Sequence, residues 1–582
     1  MIIQALVKHY EDLLERGEIS RPGWGTVKVS FGLNLDIEGN LLNILSLRTP
    51  LRKGKKDVLE PKNIDVPQPV KRTVGIAPNF LCDNSTYVLG IDEKGKPERS
   101  KQCFMAFRDL HLQLLREAQS DAAKSIVCFL NKWDPENVQE MQGFSEIWKE
   151  LTGGANILFF YEGQSVTEDE YIRQCWQQYY DTEADGADGV CMITGKKEQI
   201  ATLHPVIKGV YGAQAMGTSL VSYNAPAFCS YGKEQGENAA IGKYAAAAYG
   251  AALNHLLSKR EHIRSIGDTT VVCWAEGGGP EYQDAALAAL FGISNESEMT
   301  EADLRAIMSA AVNGTYVEWH NTKLEFDRHF YILGVAPNAA RLSVRFFWQD
   351  TFGNMLRNIN MHYERLEIVK PSYDKREMLS VWSLLQETVN QNSRDKSPSS
   401  QMAADTVKAI LENGQYPASL LNGVMLRIRA EHQVSRGRAA IIKAYFLRYL
   451  QGRDDNEIKE VLQVGLNEDT GNVYYNLGRL FAVLENIQEE ANPAINTTIK
   501  DKYFNSAAAT PAIIFPLLLN LSQKHLRKMN EGGRIRFNKK VGEIMGKIGD
   551  GFPTRMTLPQ QGSFQLGYYH QLQKRYEKKE DK

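Results

Sequence analysis

YYNLGRLFAVLENIQEEANP, residues 474–493, places Leu477, Leu480, Phe481, Leu484 and Ile487 at helical intervals. They line one apolar stripe of an α-helix that Pro493 ends. Farther on, TPAIIFPLLLNLSQKHLRKMNEGG (510–533) offers Thr510 as N-cap and Pro511 at the first helical position. Lys524, Arg527 and Lys528 fall in its last turns before Gly532, where the helix dipole favours cations. Pro516 is expected to kink that helix near its start. Residues 401–414, 418–450, 456–465 and 563–578 read as further helices, so the C-terminal third is expected to be an all-α bundle. No repeat of fixed period is present.

Working back toward the N-terminus, the period changes. MIIQALVKHYEDLLERG opens the chain as an amphipathic helix, and VKVSFGLNLDIEGNLLNILSL (27–47) alternates around an EGN turn as a β-hairpin does. RKGKKDVLEPKNIDVPQPVKR (52–72) is basic and punctuated by proline, which predicts an exposed loop. TVGIAPNFLCDNSTYVLGID (73–92) predicts a long loop between two short strands. Residues 103–133 turn helical, while ILFFY (157–161) and GVCMI (189–193) are buried-strand candidates. KYAAAAYGAALNHLL (243–257) is a helix, followed by strand-like TTVVCW (269–274), YILGV (331–335) and RLSVRFFW (341–348). In RLSVRFFW, Leu342, Val344 and Phe346 are expected on one face, with Arg341, Ser343, Arg345 and Phe347 on the other. QETVNQNSRDKSPSSQ (386–401) is polar and lacks a core pattern, so it reads as a linker. The expected class is α+β: a mixed region over 1–385, a linker over 386–401 and a helical bundle over 402–582.

The chain has 582 residues, ample for more than one core. Its seven cysteines (82, 103, 128, 175, 191, 229 and 273) form no Cys-x-x-Cys pair, which argues against a disulfide framework and a zinc site. No apolar run approaches membrane-spanning length, and the first residues do not resemble a signal peptide. A cytoplasmic setting is expected. The net charge of −2 hides an asymmetry: residues 401–582 carry 26 Lys and Arg against 19 Asp and Glu. That excess suits either a polyanion or plain solvent.

Catalytic signatures are missing. QGENAAIGKY (235–244) resembles a phosphate-binding loop, but five residues rather than four separate Gly236 from Gly242. Tyr244 also stands where a Ser or Thr hydroxyl is required. There is no Gly-x-Ser-x-Gly elbow and no His-Glu-x-x-His helix. Cys229 has no assignable His partner, and His204 and His255 read as packed or surface residues. The acidic runs at 167–170 and 181–188 suit a cation or a solvated loop. No enzyme activity, cofactor or metal is expected.

Interaction chemistry does accumulate. Lys71 and Arg72 precede a loop carrying Asn79, Phe80, Asn84 and Tyr87. Asparagine reads a base edge and Phe wedges a base step, yet the same residues also shape turns and fill cores. Arg341 and Arg345 beside Phe347 suit a stacking or phosphate-binding face, or a solvent face. Arg427, Arg429, Arg436, Arg438, Lys443 and Arg448 form a basic stretch compatible with tracking a single strand.

Several long stretches together resemble the large subunit of the type I-C CRISPR interference complex, Cascade. They include APNFLCDNSTYVLGID, ITGKKEQIATLHPVIKGVYGAQAMGTSLVSYNAPAFCSYGKEQGENAA, ILGVAPNAARLSVRFFWQDTFG, LRIRAEHQVSRGRAAIIKAY and LGRLFAVLENIQEEANPAINTTIKDKYFNSAAATPAIIFP. The resemblance implies a non-catalytic subunit of a guide-RNA ribonucleoprotein. Such a subunit reads a protospacer-adjacent motif in double-stranded DNA, helps open the duplex into an R-loop and supports the displaced strand. Long sequence specificity then comes from pairing with the guide crRNA. Implied partners are the backbone subunits, the subunit capping the crRNA 5′ handle, and a helicase-nuclease that cuts. Small subunits translated internally from the same gene are also implied; Met425 or a position near Tyr474 is a candidate start. In this setting Lys71, Arg72, Asn79, Phe80 and Asn84 become candidates for motif reading. Lys208, Asn224, Lys233, Gln235 and Asn238 become candidates for guide-handle or duplex contact. Arg341 and Arg345, and Arg427, Arg436 and Arg438, complete the candidate surface. A purely structural assembly subunit, favoured by the near-neutral pI of about 6.6, is the competing expectation.

Overall fold

The computed structural model describes residues 1–576 except 54–55, 71, 73–74, 93–96, 137–143, 183–187, 224, 294–298, 454–455 and 550. Strands are concentrated in the N-terminal half and helices toward the C-terminus, so the fold is α+β. Two compact units emerge: residues 3–205 with 222–252 and Met1, and residues 206–221 with 253–582 and Ile2.

In the first unit, Phe31–Leu35 pairs with Leu41–Ser46 as the expected hairpin. It also pairs in parallel with Asn156–Tyr161, which in turn carries Cys82–Asn84 on its far side. Phe31, Leu33, Leu35, Ile157 and Phe159 bury this sheet against Phe107 of helix Pro97–Leu114 and Phe129 of helix Asp121–Lys132. The basic stretch 52–72 is largely not a loop. Arg48–Lys53 and Lys56–Pro67 are antiparallel strands, and the second half of Lys56–Pro67 pairs with Trp24–Val29. The Trp24–Val29 partners lie 33 to 43 residues away, and the two pairings together satisfy the backbone despite prolines at 61 and 67. The 189–193 stretch is also corrected: only Asp188–Val190 is strand, in a small hairpin with Lys197–Gln199, and Met192 is exposed.

A six-stranded sheet anchors the second unit, in the order Val206–Ile207, Thr218–Ser219, Arg341–Thr351, His329–Asn338, Thr269–Ala275 and Arg264–Ile266. The hairpin formed by His329–Asn338 and Arg341–Thr351 changes register between Gly334 and Val335, leaving Arg345 without an opposite residue. This bulge breaks the alternation expected there, and Val344 is exposed while Leu342 and Phe346 are buried. Helices Pro280–Phe291, Glu301–Asn313 and Phe352–Leu366 contribute to the same core as the C-terminal helices.

The polar segment 386–401 lies inside this second unit rather than between units. Ser400 Oγ accepts the Asp268 N–H at 3.1 Å, and Glu387 accepts from Ser435 Oγ at 2.7 Å. One apolar core runs from Ile266 to Tyr569, so strands and C-terminal helices are not separated at the linker. The 418–450 stretch divides into Ala418–Glu431 and Arg436–Tyr449, because His432 takes the left-handed conformation that ends a helix (φ 52°). Helix Pro511–Leu526 stops before Gly532, which falls inside the next helix, Glu531–Ile548. The stripe 474–493 forms helix Val473–Ala491, packed on Leu558–Tyr576. A Cβ on Gly478 would overlap the Phe564 carbonyl oxygen, and one on Gly567 would overlap that of Tyr475. These two glycines set the close approach of the helices.

Candidate nucleic-acid interface

The loop expected to read a motif is built around Asp83, which is 1 % exposed in the middle of the short strand Cys82–Asn84. Its Oδ1 accepts from Arg72 Nη1 at 3.0 Å and from the Asn84 N–H at 2.8 Å. Its Oδ2 accepts from Arg72 Nη2 and from the Asn79 N–H at 2.9 Å. Arg72 further donates through Nε to the Ala77 carbonyl at 2.6 Å, and its guanidinium lies 4.0 Å from the centre of the Tyr87 ring. A buried carboxylate this rich in donors ties three points of the loop together. Arg72 is therefore a scaffold residue, with its side chain partly exposed. Asn79 Oδ1 accepts the Val70 N–H, and Asn84 Oδ1 caps Thr86.

Phe80 departs from the wedge reading. It is buried, stacked on Trp176 at 5.5 Å and tilted against His111 at 4.8 Å. His111 donates through Nδ1 to the Phe107 carbonyl and accepts the Leu81 N–H on Nε2 at 2.9 Å, which holds Leu81 at φ 63°. Burial pushes the His111 imidazole down to about 4, keeping it neutral and able to accept. Lys71 lies outside the described residues.

The second candidate group is divided between the units. Lys208 belongs to the second, exposed, with its backbone N–H on Asn254 Oδ1. Asn224 lies outside the described residues. Lys233, Gln235 and Asn238 share one loop of the first unit. Asn238 is a staple: its Oδ1 accepts the Ser230 N–H, and its Nδ2 donates to the carbonyls of Lys233 and Gln235. Asn238 is therefore committed to the loop, while Lys233 and Gln235 are exposed beside it. A Cβ on Gly236 would overlap the Ala201 carbonyl oxygen, so only glycine lets the backbone pass. Where a phosphate loop would hold its anion, the Glu198 carboxylate lies against Gly242. Tyr231, fully exposed with φ 56° in the same loop, and Phe228, exposed nearby, are further candidates that no sequence periodicity marked. The signal was an aromatic between Ser230 and Gly232, with no apolar neighbours to bury it.

The remaining cations mostly serve the fold. Arg345 pairs with Asp268 at 2.7 Å, and Phe347 stacks on Tyr331. Arg341 sits half-buried at the end of the same strand, beside Ser219. Arg436 and Arg438 are buried: Arg436 bonds Asp374 and the carbonyls of Arg376 and Glu377. Arg438 pairs with Glu387 at 3.3 Å and with Glu431. Arg427 pairs with Glu431 at 3.6 Å one turn on. Lys443 donates to the carbonyls of Arg365 and Glu367, and burial lowers its pKa to about 8. This corrects the expectation of a strand-tracking surface there. Exposed cations gather instead between residues 511 and 558, a stretch with nine Lys and Arg and three Asp and Glu, in which Arg536 and Lys547 pair with Glu490 and Asp469. Lys524, Arg527, Arg534 and Lys539 project to solvent from helix Pro511–Leu526, its C-cap and helix Glu531–Ile548. No cluster of three metal-ligating side chains occurs among the described residues. Asp169, from one of the acidic runs, instead accepts from Ser120 Oγ and the Ile172 N–H at a helix start. No helix among the described residues is long and apolar enough to cross a membrane.

Both units thus combine an α+β scaffold with loops and helices that present amide, aromatic and cationic groups. A family model described as CRISPR-associated protein (Cas_Csd1) matches residues 6–576, and the chain belongs to that family. No curated protein matches it.

Proposed function

We propose that the chain is the non-catalytic large subunit of a type I-C Cascade surveillance complex acting in antiviral defence in the cytoplasm. In this reading it recognises the protospacer-adjacent motif in duplex DNA, helps form the R-loop, supports the non-target strand and helps recruit the helicase-nuclease. The family match over nearly the whole chain carries the proposal. Two features of the first unit support it: the Asp83-organised loop bearing Asn79 and Asn84, and the loop where exposed Tyr231 stands beside Lys233. Loops held rigidly by a scaffold are where recognition residues are placed. The basic helices of 511–548 offer a track for the displaced strand, salt-dependent and tolerant of sequence.

The competing role, a structural assembly subunit with little DNA contact, draws on the burial of Arg436 and Arg438 in ion pairs. To separate the two, Asn79→Ala and Asn84→Ala are assembled with guide RNA and the other subunits. Binding is then compared on duplexes with correct and scrambled motifs. A reduced preference ratio supports motif reading; an unchanged ratio with intact assembly supports the structural role.

A further inference from the structure

Within the first unit, a cavity of about 690 Å3 opens between the turn after the N-terminal helix, the strands Trp24–Val29 and Lys56–Pro67, and helix Glu170–Thr182. Its size is ordinary for a small-ligand site. Arg21, Lys62 and Arg173 all line it, all are exposed, and none has a carboxylate partner among the described residues. Trp24 supplies a flat indole, with the Arg173 guanidinium 5.5 Å from its ring centre, and Ile64 adds apolar wall. Asp65 is held in place by the hydroxyls of Ser20 and Thr26, both on Oδ1, at 2.8 and 2.6 Å. Its Oδ2 has no hydrogen-bond partner among the described residues and remains as an acceptor.

Cations without carboxylate partners, an indole with a guanidinium over it and one fixed acceptor make a complementary set. We infer that this cavity binds one unstacked nucleotide of a single-stranded nucleic acid. The base stacks against the Arg173 guanidinium that lies over Trp24, its phosphates meet Arg21 and Lys62, and Asp65 accepts from an exocyclic amine. Adenine and cytosine carry that amine on the pairing edge; uracil and thymine do not, which predicts a base preference. The inference rests on the nucleic-acid reading above but names a site apart from the motif-reading loop.

The full-length chain is titrated with the trinucleotides ApApA and UpUpU and with their deoxy counterparts by calorimetry. ApApA is expected to bind several-fold more tightly than UpUpU. Trp24→Ala should weaken ApApA about tenfold, consistent with the stacking energy of one base. Trp24→Phe should retain most binding, and Asp65→Asn should erase the preference between A and U while Ser20 and Thr26 keep their acceptor. Lys62→Gln, at an exposed position, should lower the salt slope by about one. Tighter ribo than deoxy binding assigns the nucleotide to guide RNA; the reverse, or equality, assigns it to displaced DNA. Equal binding of A and U by the native chain overturns the site, as does binding unaffected by both Trp24→Ala and Lys62→Gln. Because motif preference of the assembled complex is measured separately, failure here leaves the proposed function standing.

Discussion

Asp83→Ala removes one carboxylate and unties the loop at three points at once. The Asn79 and Asn84 amides lose a charged acceptor, and Arg72 loses both of its carboxylate bonds. Hydrogen bonds to a charged group contribute about 1.5–3 kcal/mol each, and breaking a buried ion pair costs about 3–5 kcal/mol. The Arg72 side chain is 27 % exposed, so water replaces part of what it loses. A local loss of about 3 kcal/mol is expected, which corresponds to roughly a hundredfold faster opening of this loop. Hydrogen exchange at the Asn79 and Asn84 amides reads that opening directly, without requiring the two units to unfold together. Arg72→Ala should cost about 2 kcal/mol, and the double variant less than the sum, because the two groups share one interaction. Asp83→Ala should also lower motif preference in the assembled complex. Exchange at both amides within a factor of three of the native protein would refute the assignment of Asp83 as the organiser.

Three other outcomes follow from the geometry. Arg438→Met should destabilise the second unit by about 3 kcal/mol in denaturant titration, through stranding Glu387 and Glu431; the salt slope of nucleic-acid binding should not change. His111 has a folded pKa of about 4, below its unfolded value, so the unfolded chain binds the extra proton. Its contribution is complete above about pH 6.5 and is lost as pH falls toward 4. Thermal melts of His111→Gln should therefore show a shallower acid-side slope than the native chain. Gly236→Ala drives a methyl into the Ala201 carbonyl and should cost about 2 kcal/mol, releasing the Tyr231 loop to limited proteolysis at native temperature.

Local periodicity made the helices legible: the stripe from Leu477 to Ile487 needs only its own spacing. The close approaches of Gly478 to Phe564 and of Gly567 to Tyr475 were not legible, since the two helices lie far apart in sequence. The same limit explains residues 62–67, whose pairing partners are Trp24–Val29. It also explains Arg436 and Arg438: a basic run looks alike whether solvated or buried, and the carboxylates that neutralise it sit near residues 374 and 387. Polarity at 386–401 suggested a linker, but Glu387 and Ser400 use that polarity to bond the rest of the unit. At the candidate site, amide and cationic residues in loops were visible in sequence. What remained hidden was which of them are already committed: Arg72 to Asp83, Asn238 to its own loop, Phe80 to Trp176. Tyr231, committed to nothing buried, was overlooked because solvent exposure leaves no periodic trace.

The most direct measurement is photocrosslinking of the assembled ribonucleoprotein to a target duplex labelled at its motif, with the modified peptides mapped. Labelled peptides are expected from residues 70–84 and from the Tyr231 loop, lost when the motif is scrambled. Labelling confined to the other subunits would contradict motif reading by this chain.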